Sequence, residues 1–117
     1  MSLKMKERLF VPLSTSSFID FKLNGKQYEV RACERNYSEK FVFPGRPVEL
    51  RKGYSGESLM GVIGEIVMGS RLEEVLSLID YKLAEPMASS IDDAVKENKK
   101  LLGEKPKYIA FQVLLGH

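Results

Sequence analysis

The sequence predicts an α+β fold: a strongly curved, mostly antiparallel sheet that closes toward a small barrel, with about three helices at its ends. Three observations carry that expectation. Extended segments of alternating polarity follow one another through short turns. Helical periodicity enters at only two points, so the regular strand–helix alternation of a doubly wound sheet is missing. An apolar run, "LMGVIGEIVMGS" (59–70), holds Gly61, Gly64 and Gly69, and glycines inside a strand suit the tight bend of a barrel corner. The 117 residues make one domain spanning 1–117, with 1–6 as a flexible leader.

The elements follow in order. "RLFVPL" (8–13) is a short apolar strand ending near a proline. Ser14, Thr15, Ser16 and Ser17 offer N-caps for a helix over about 16–23, and Asn24-Gly25 suits its left-handed exit. "KQYEVRACE" (26–34) is a strand. Tyr28, Val30 and Ala32 share one face, and Gln27, Glu29, Arg31 and Cys33 share the other. Residues 34–46 form a loop in which "FVF" (41–43) suggests a short extended piece before the Pro44-Gly45 turn. "PVELRKG" (47–53) alternates as a strand, and 59–70 is the bent one. "SRLEEVLSLID" (70–80) is a helix, capped by Ser70 with Glu73 completing a capping box and Leu72, Val75, Leu76 and Ile79 in its stripe. "SSIDDAVKENKKLLG" (89–103) is another, with Ser90 as cap, acids early, lysines late and Gly103 at its end. "PKYIAFQVLL" (106–115) closes the chain as a strand.

Composition narrows the function classes. A hydrophobic fraction of 44% with 29% charged residues is ordinary for a soluble globular protein. Cys33 is the one cysteine, so no intramolecular disulfide and no cysteine-rich zinc site is expected, which suits the reducing cytoplasm. No apolar run approaches the roughly 20 residues of a membrane span, and the first ten residues lack a signal peptide's apolar stretch. The net charge of +2 is uneven: residues 1–60 carry +4 and residues 61–117 carry −2. A basic half suits a phosphate-bearing partner.

No nucleotide-binding glycine motif, HExxH or CxxC is present. The one histidine is the terminal His117, which sets aside His-dependent triads and most transition-metal sites; no metal or cofactor is expected. Glu29 and Arg31 leave one strand face about 7 Å apart. Arg31 could clamp a phosphate or carboxylate, with Glu29 orienting it, or the two could form a weak exposed ion pair. Lys26 could complement the helix end, bind phosphate or, if desolvated, act as base or nucleophile. Arg46, Arg51 and Tyr54 surround glycine turns, where a backbone can approach phosphates and a tyrosine can stack on a base. Glu65 is an acid in an apolar run, either outward-facing or set in a cavity. Cys33 has no histidine partner and reads as an inert thiol.

"GKQYEVR" (25–31) resembles the G-x-K-x-x-E-x-R signature of ASCH domains. Lys26, Glu29 and Arg31 match its spacing, while Gly25 stands directly before the lysine rather than two before it. "PGRPVELRKG" resembles the strand and turn that follow in such domains, with Arg46-Pro47 where an aspartate is common. The layout, with "GVIGEIV", helices and "YIAFQV", resembles the PUA-like superfamily and, more closely, a small uncharacterised archaeal family within it. The resemblance implies a PUA-like pseudo-barrel with a ligand cleft beside the motif strand, where many relatives are thought to hold RNA or modified nucleotides. Some ASCH proteins are similar to small hydrolases of acylated nucleosides that use the motif lysine, a hydroxyl residue and a later glutamate. Lys26 matches that lysine, Glu29 stands where those hydrolases carry a threonine, and Glu65 is a candidate for the later acid.

The leading expectation is thus a cytoplasmic module that binds RNA or a nucleotide through Lys26, Glu29, Arg31, Arg46, Arg51 and Tyr54. The alternative is a small hydrolase with Lys26 or Glu65 as base. A third reading is an interaction domain that pairs as a homodimer through an apolar surface.

Overall fold

A computed structural model describes residues 7–116. The leader expected over 1–6 and the terminal His117 lie outside them. The chain runs β1 (Leu9–Leu13), α1 (Thr15–Leu23), β2 (Tyr28–Ala32), β3 (Pro47–Lys52), β4 (Ser58–Gly69), α2 (Leu72–Ser77), α3 (Ile91–Leu102) and β5 (Tyr108–Leu115), with single 3-10 turns at Arg35–Tyr37 and Tyr81–Leu83. The five strands form one mixed, curled sheet in the order β1-β3-β4-β5-β2. β1 runs parallel to β3, and every other pairing is antiparallel. The result is a half-barrel with three helices, as the alternation of strands and glycines predicts.

β4 makes the curl. It pairs β3 through Ser58–Val62 and β5 through Gly61–Gly69, and its register slips between Ile63 and Ile66. Such a bulge adds bend and twist. At Gly61 a Cβ would stand 2.5 Å from the Leu114 carbonyl oxygen, so β4 and β5 approach this closely only over a residue without a side chain. β5 is buried on both faces, and its alternation divides the interior. Ile109, Phe111 and Val113 pack with Val11, Phe18 and Leu50 inside the curl. Tyr108 and Ala110 pack with Leu72, Val75 and Leu76 of α2 on the other face.

The helices begin largely where their caps predict. The Ser14 Oγ accepts from the Ser17 amide at 3.2 Å, and the Ser90 Oγ accepts from the Asp93 amide at 3.1 Å. The Asp93 carboxylate returns a contact to the Ser89 amide at 3.0 Å. α2 departs from expectation. It starts at Leu72 and stops at Ser77, with Arg71 as an N-cap that makes no side-chain bond. Ser70 does not cap it; its amide instead donates to Glu74 at 3.1 Å. Three buried apolar side chains seat this short helix on the sheet, and packing rather than capping sets its limits.

Three further expectations are corrected. "FVF" is not extended: the amides of Phe41 and Val42 both donate to the Ser38 carbonyl at 2.9 Å, because the turn drives Val42 into the core. β2 is shorter than 26–34, since the Glu34 amide folds back on the Ala32 carbonyl at 2.9 Å. Gln27 precedes the strand, and its side chain meets Gln112 at 3.1 Å rather than joining Glu29.

Gly61→Ala is expected to cost about 2–3 kcal/mol, read from urea unfolding midpoints, since the added methyl meets fixed backbone. Gly64→Ala should cost distinctly less, because its Cβ would meet side chains rather than backbone, the Gln112 oxygen at 2.6 Å and the Leu114 Cδ1 at 3.2 Å, which can swing away.

Candidate functional site

β2 ends the sheet on one side and β1 ends it on the other. Where these two free edges face each other, a cleft of about 230 Å³ opens, lined by Ser14 and Ser17 of α1, by Lys26, Glu29 and Arg31, and by Glu85. Asn98, Leu101 and Leu102 at the end of α3 form its far wall.

Strand parity points Glu29 and Arg31 into the curl, opposite Phe111 and Ile109 of β5. Glu29 is buried, and both its oxygens are engaged: Oε1 lies 3.4 Å from the Lys26 Nζ, and Oε2 accepts from the Arg31 Nε at 2.7 Å. Lys26 is also buried, its ammonium 5.3 Å above the Phe21 ring. Arg31 lies 4.7 Å over the Tyr37 ring and donates through Nη2 to the Pro12 carbonyl at 2.8 Å. Burial opposes its charge, but Glu29, with Tyr37 and Tyr54, outweighs that and raises its pKa. Two cations thus share one carboxylate. Among the described residues the Arg31 Nη1 has no hydrogen-bond partner, yet no buried side-chain nitrogen or oxygen goes unpartnered. That nitrogen therefore reaches solvent.

Glu85 completes the cleft and was not foreseen in the sequence. It follows the Tyr81–Leu83 turn, in a connector without periodicity. The Asn98 Nδ2, itself buried, donates to the Glu85 Oε2 at 3.0 Å and to the Ala94 carbonyl at 2.9 Å. Burial raises the Glu85 pKa, against the opposing pull of Lys26 and of the Asn98 hydrogen bond. The "DxxxxN" pattern from Asp93 to Asn98 carries no such signal, but an asparagine on the buried stripe of α3 is the one clue the sequence offers.

The other candidates lie elsewhere. Glu65 is exposed and accepts from the Tyr28 hydroxyl. Tyr28 points away from the Glu29 face of β2, so Glu65 is not in the cleft. Burial and this carboxylate together push the Tyr28 hydroxyl up to about 12. Arg46 donates to the Phe41 carbonyl at 2.6 Å and the Glu7 carbonyl at 3.3 Å. Arg51 is bound to Glu49, and the Ser58 hydroxyl and Arg51 hold that carboxyl below its ordinary range. Tyr54 is exposed, its ring 6.2 Å from that of Phe10. None of these four lines the cleft. The Cys33 thiol is raised by burial and sits 3.8 Å from Glu39, a poor setting for a nucleophile.

No protein-family model matches the chain, and no curated protein matches it significantly. Among solved structures it is similar to the crystal structure of hypothetical protein PH0355, with a TM-score of 0.77 and 18% identity over 92% of this chain and 97% of that one. It is likewise similar to the solution structure of PF0455 from Pyrococcus furiosus, with a TM-score of 0.68 and 18% identity over 93% of this chain and 97% of that one. At that identity the likeness establishes the fold alone.

Two outcomes test the electrostatics. Glu29→Ala leaves two enclosed cations without their carboxylate and is expected to cost about 3 kcal/mol or more, measured by chemical denaturation. Glu85→Gln should raise the melting temperature at neutral pH. A carboxyl whose folded pKa is raised binds more protons folded than unfolded, so its contribution falls as pH rises from about 4.3 through the raised value. The advantage of the glutamine should therefore vanish in acid.

Proposed function

We propose that the chain is a binding module for RNA or a nucleotide, and that the ligand enters the cleft between β1 and β2. The carrying observation is the Lys26–Glu29–Arg31 chain: two cations share one buried carboxylate, burial disfavours the charged form of the second acid in the hollow, Glu85, and an Arg31 donor is still free. An anion or a base edge rich in acceptors supplies what the pair lacks. A volume of about 230 Å³ is below the roughly 300 Å³ at which sites for whole drug-sized ligands begin; it suits one base or one phosphate. The spacing of Lys26, Glu29 and Arg31 on a curled half-barrel supports placing the chain in the PUA-like superfamily near ASCH domains, and the lone Cys33 fits a cytoplasmic setting.

One observation favours a second reading, hydrolysis of an acylated nucleoside. Glu85, with its raised pKa, faces the same cleft as Lys26, and the hydroxyl-bearing Ser17 lines it too. In that case Glu85, not Glu65, is the acid of the reaction.

Titration with an RNA pool and with nucleoside monophosphates separates the readings. Binding is expected to weaken steeply with added salt, and Arg31→Ala to lower affinity roughly ten- to a hundredfold. Salt-insensitive binding, or binding unmoved by that substitution, would overturn the module reading. Turnover of acylated nucleosides that is lost in both Lys26→Ala and Glu85→Gln would establish the second.

A further inference from the structure

We propose that the cleft is the first station of a track for single-stranded nucleic acid, which runs over three adjoining hollows and ends on the Phe10–Tyr54 ring pair. The inference rests on the cleft reading and names its ligand as an oligonucleotide rather than a free nucleotide.

Continuity comes from shared walls. Arg31, Leu101 and Leu102 line both the cleft and a second hollow of about 360 Å³. Asn36 lines both this second hollow and a third of about 320 Å³, which reaches Phe10, Phe41 and Arg46. The ring of Tyr54 stands beside Phe10, and the Arg51 guanidinium lies 5.1 Å over the Phe10 ring. Arg46, Arg51 and Tyr54, which are outside the cleft, thus fall on one path leading from it.

Size and charge select the occupant. The cleft holds a base or a phosphate but not a whole nucleotide, so the rest of a ligand must pass Arg31 into the second hollow. The second and third hollows are lined by Arg8, Arg31, Arg35, Arg46 and Lys105 against the single acid Glu34. Glu34 is met by Lys105 at 3.4 Å, and Arg8 leans toward Glu49 at 3.7 Å. Arg35 and Arg46 have no carboxylate partner among the described residues. Aromatic rings alternate with these cations and are partly open to solvent: Phe10 is 37% exposed beside Arg51, Phe41 40% beside Lys40 and Tyr54 77%. Cations spaced between open rings suit a strand whose phosphates meet the former and whose unstacked bases lie on the latter. A duplex hides its base faces and gains nothing from the rings. One base per hollow and one on the terminal rings makes about four nucleotides.

The test is a length series of oligoribonucleotides from one to eight residues, read by fluorescence anisotropy, with a duplex and inorganic polyphosphate as competitors. Affinity should climb with each nucleotide to about four and then level. Arg35→Gln and Phe41→Ala should each weaken the tetranucleotide about tenfold while leaving the mononucleotide unchanged, and Tyr54→Ala should shorten the plateau by one residue. Arg35 is exposed and makes no ion pair among the described residues, so its substitution reports on the track even where others disturb the fold. A tetranucleotide no tighter than a mononucleotide, or a duplex or polyphosphate that competes as well as the single strand, overturns the track and leaves the cleft reading standing. Tetranucleotide binding that ignores Arg31→Ala but falls with Arg35→Gln removes the cleft and keeps the outer stations. No binding at any length removes both.

Discussion

Arg31 holds together two strand edges that have no ladder between them. A curled sheet of five strands ordinarily closes by pairing its ends or leaves them exposed as edges. Here β1 and β2 stand at the ends, and side chains span the gap. The Arg31 Nη2 takes the Pro12 carbonyl, and the Tyr37 hydroxyl reaches the Phe10 carbonyl at 3.4 Å. Residues 10 and 12 share parity, so both carbonyls leave β1 on its open side. Pro12 has no N–H to strand there, which is why a proline is tolerated in this strand. A seam closed by backbone would have filled the space between β1 and β2. A seam closed by a long side chain leaves it open, and the opening is the cleft.

The same guanidinium sets the electrostatics of the opening. Holding Arg31 inside the curl requires a carboxylate, and Glu29 supplies it from two residues away on the same strand face. The buried Lys26 then claims the other oxygen. Enclosed ion chains of this kind add little net stability, since desolvation offsets most of the attraction. Their effect is to fix geometry. Glu85 lies in the same hollow, where burial raises its pKa against the pull of Lys26 and of the Asn98 hydrogen bond.

The legible parts of the sequence were those governed by local rules. The caps at Ser14 and Ser90, the order of elements and the bend of β4 follow from residues adjacent in the chain. So does the common face of Glu29 and Arg31, because the pleat alone decides it. The parts that stayed hidden depend on contacts between distant segments. Glu85 acquires its role from Asn98, thirteen residues on, and from a helix that packs across the connector. Val42 leaves an apparently extended "FVF" because the core needs a plug. The parallel pairing of β1 with β3 is set by how α1 and β2 cross over, which the periodicity of neither strand encodes. Arg46, Arg51 and Tyr54 were drawn from a turn that looked like a phosphate loop; the third dimension places them around the barrel from Lys26.

The uneven charge of the two halves acquires a spatial meaning in this fold. β1, α1, β2 and β3 all come from the first 60 residues, and they make the seam and the loops beside it. β5, α2, α3 and most of β4 come from the second half; Glu65 of β4 and Glu73 and Glu74 of α2 face outward, while α3 and Glu85 wall the cleft. Lys26 and Arg31 thus reach the open side of the sheet from the first half, where they meet Glu85 from the second. Arg31 stands at the border of the first two hollows, so the residue that spans the seam is also the one that any occupant of the cleft would meet.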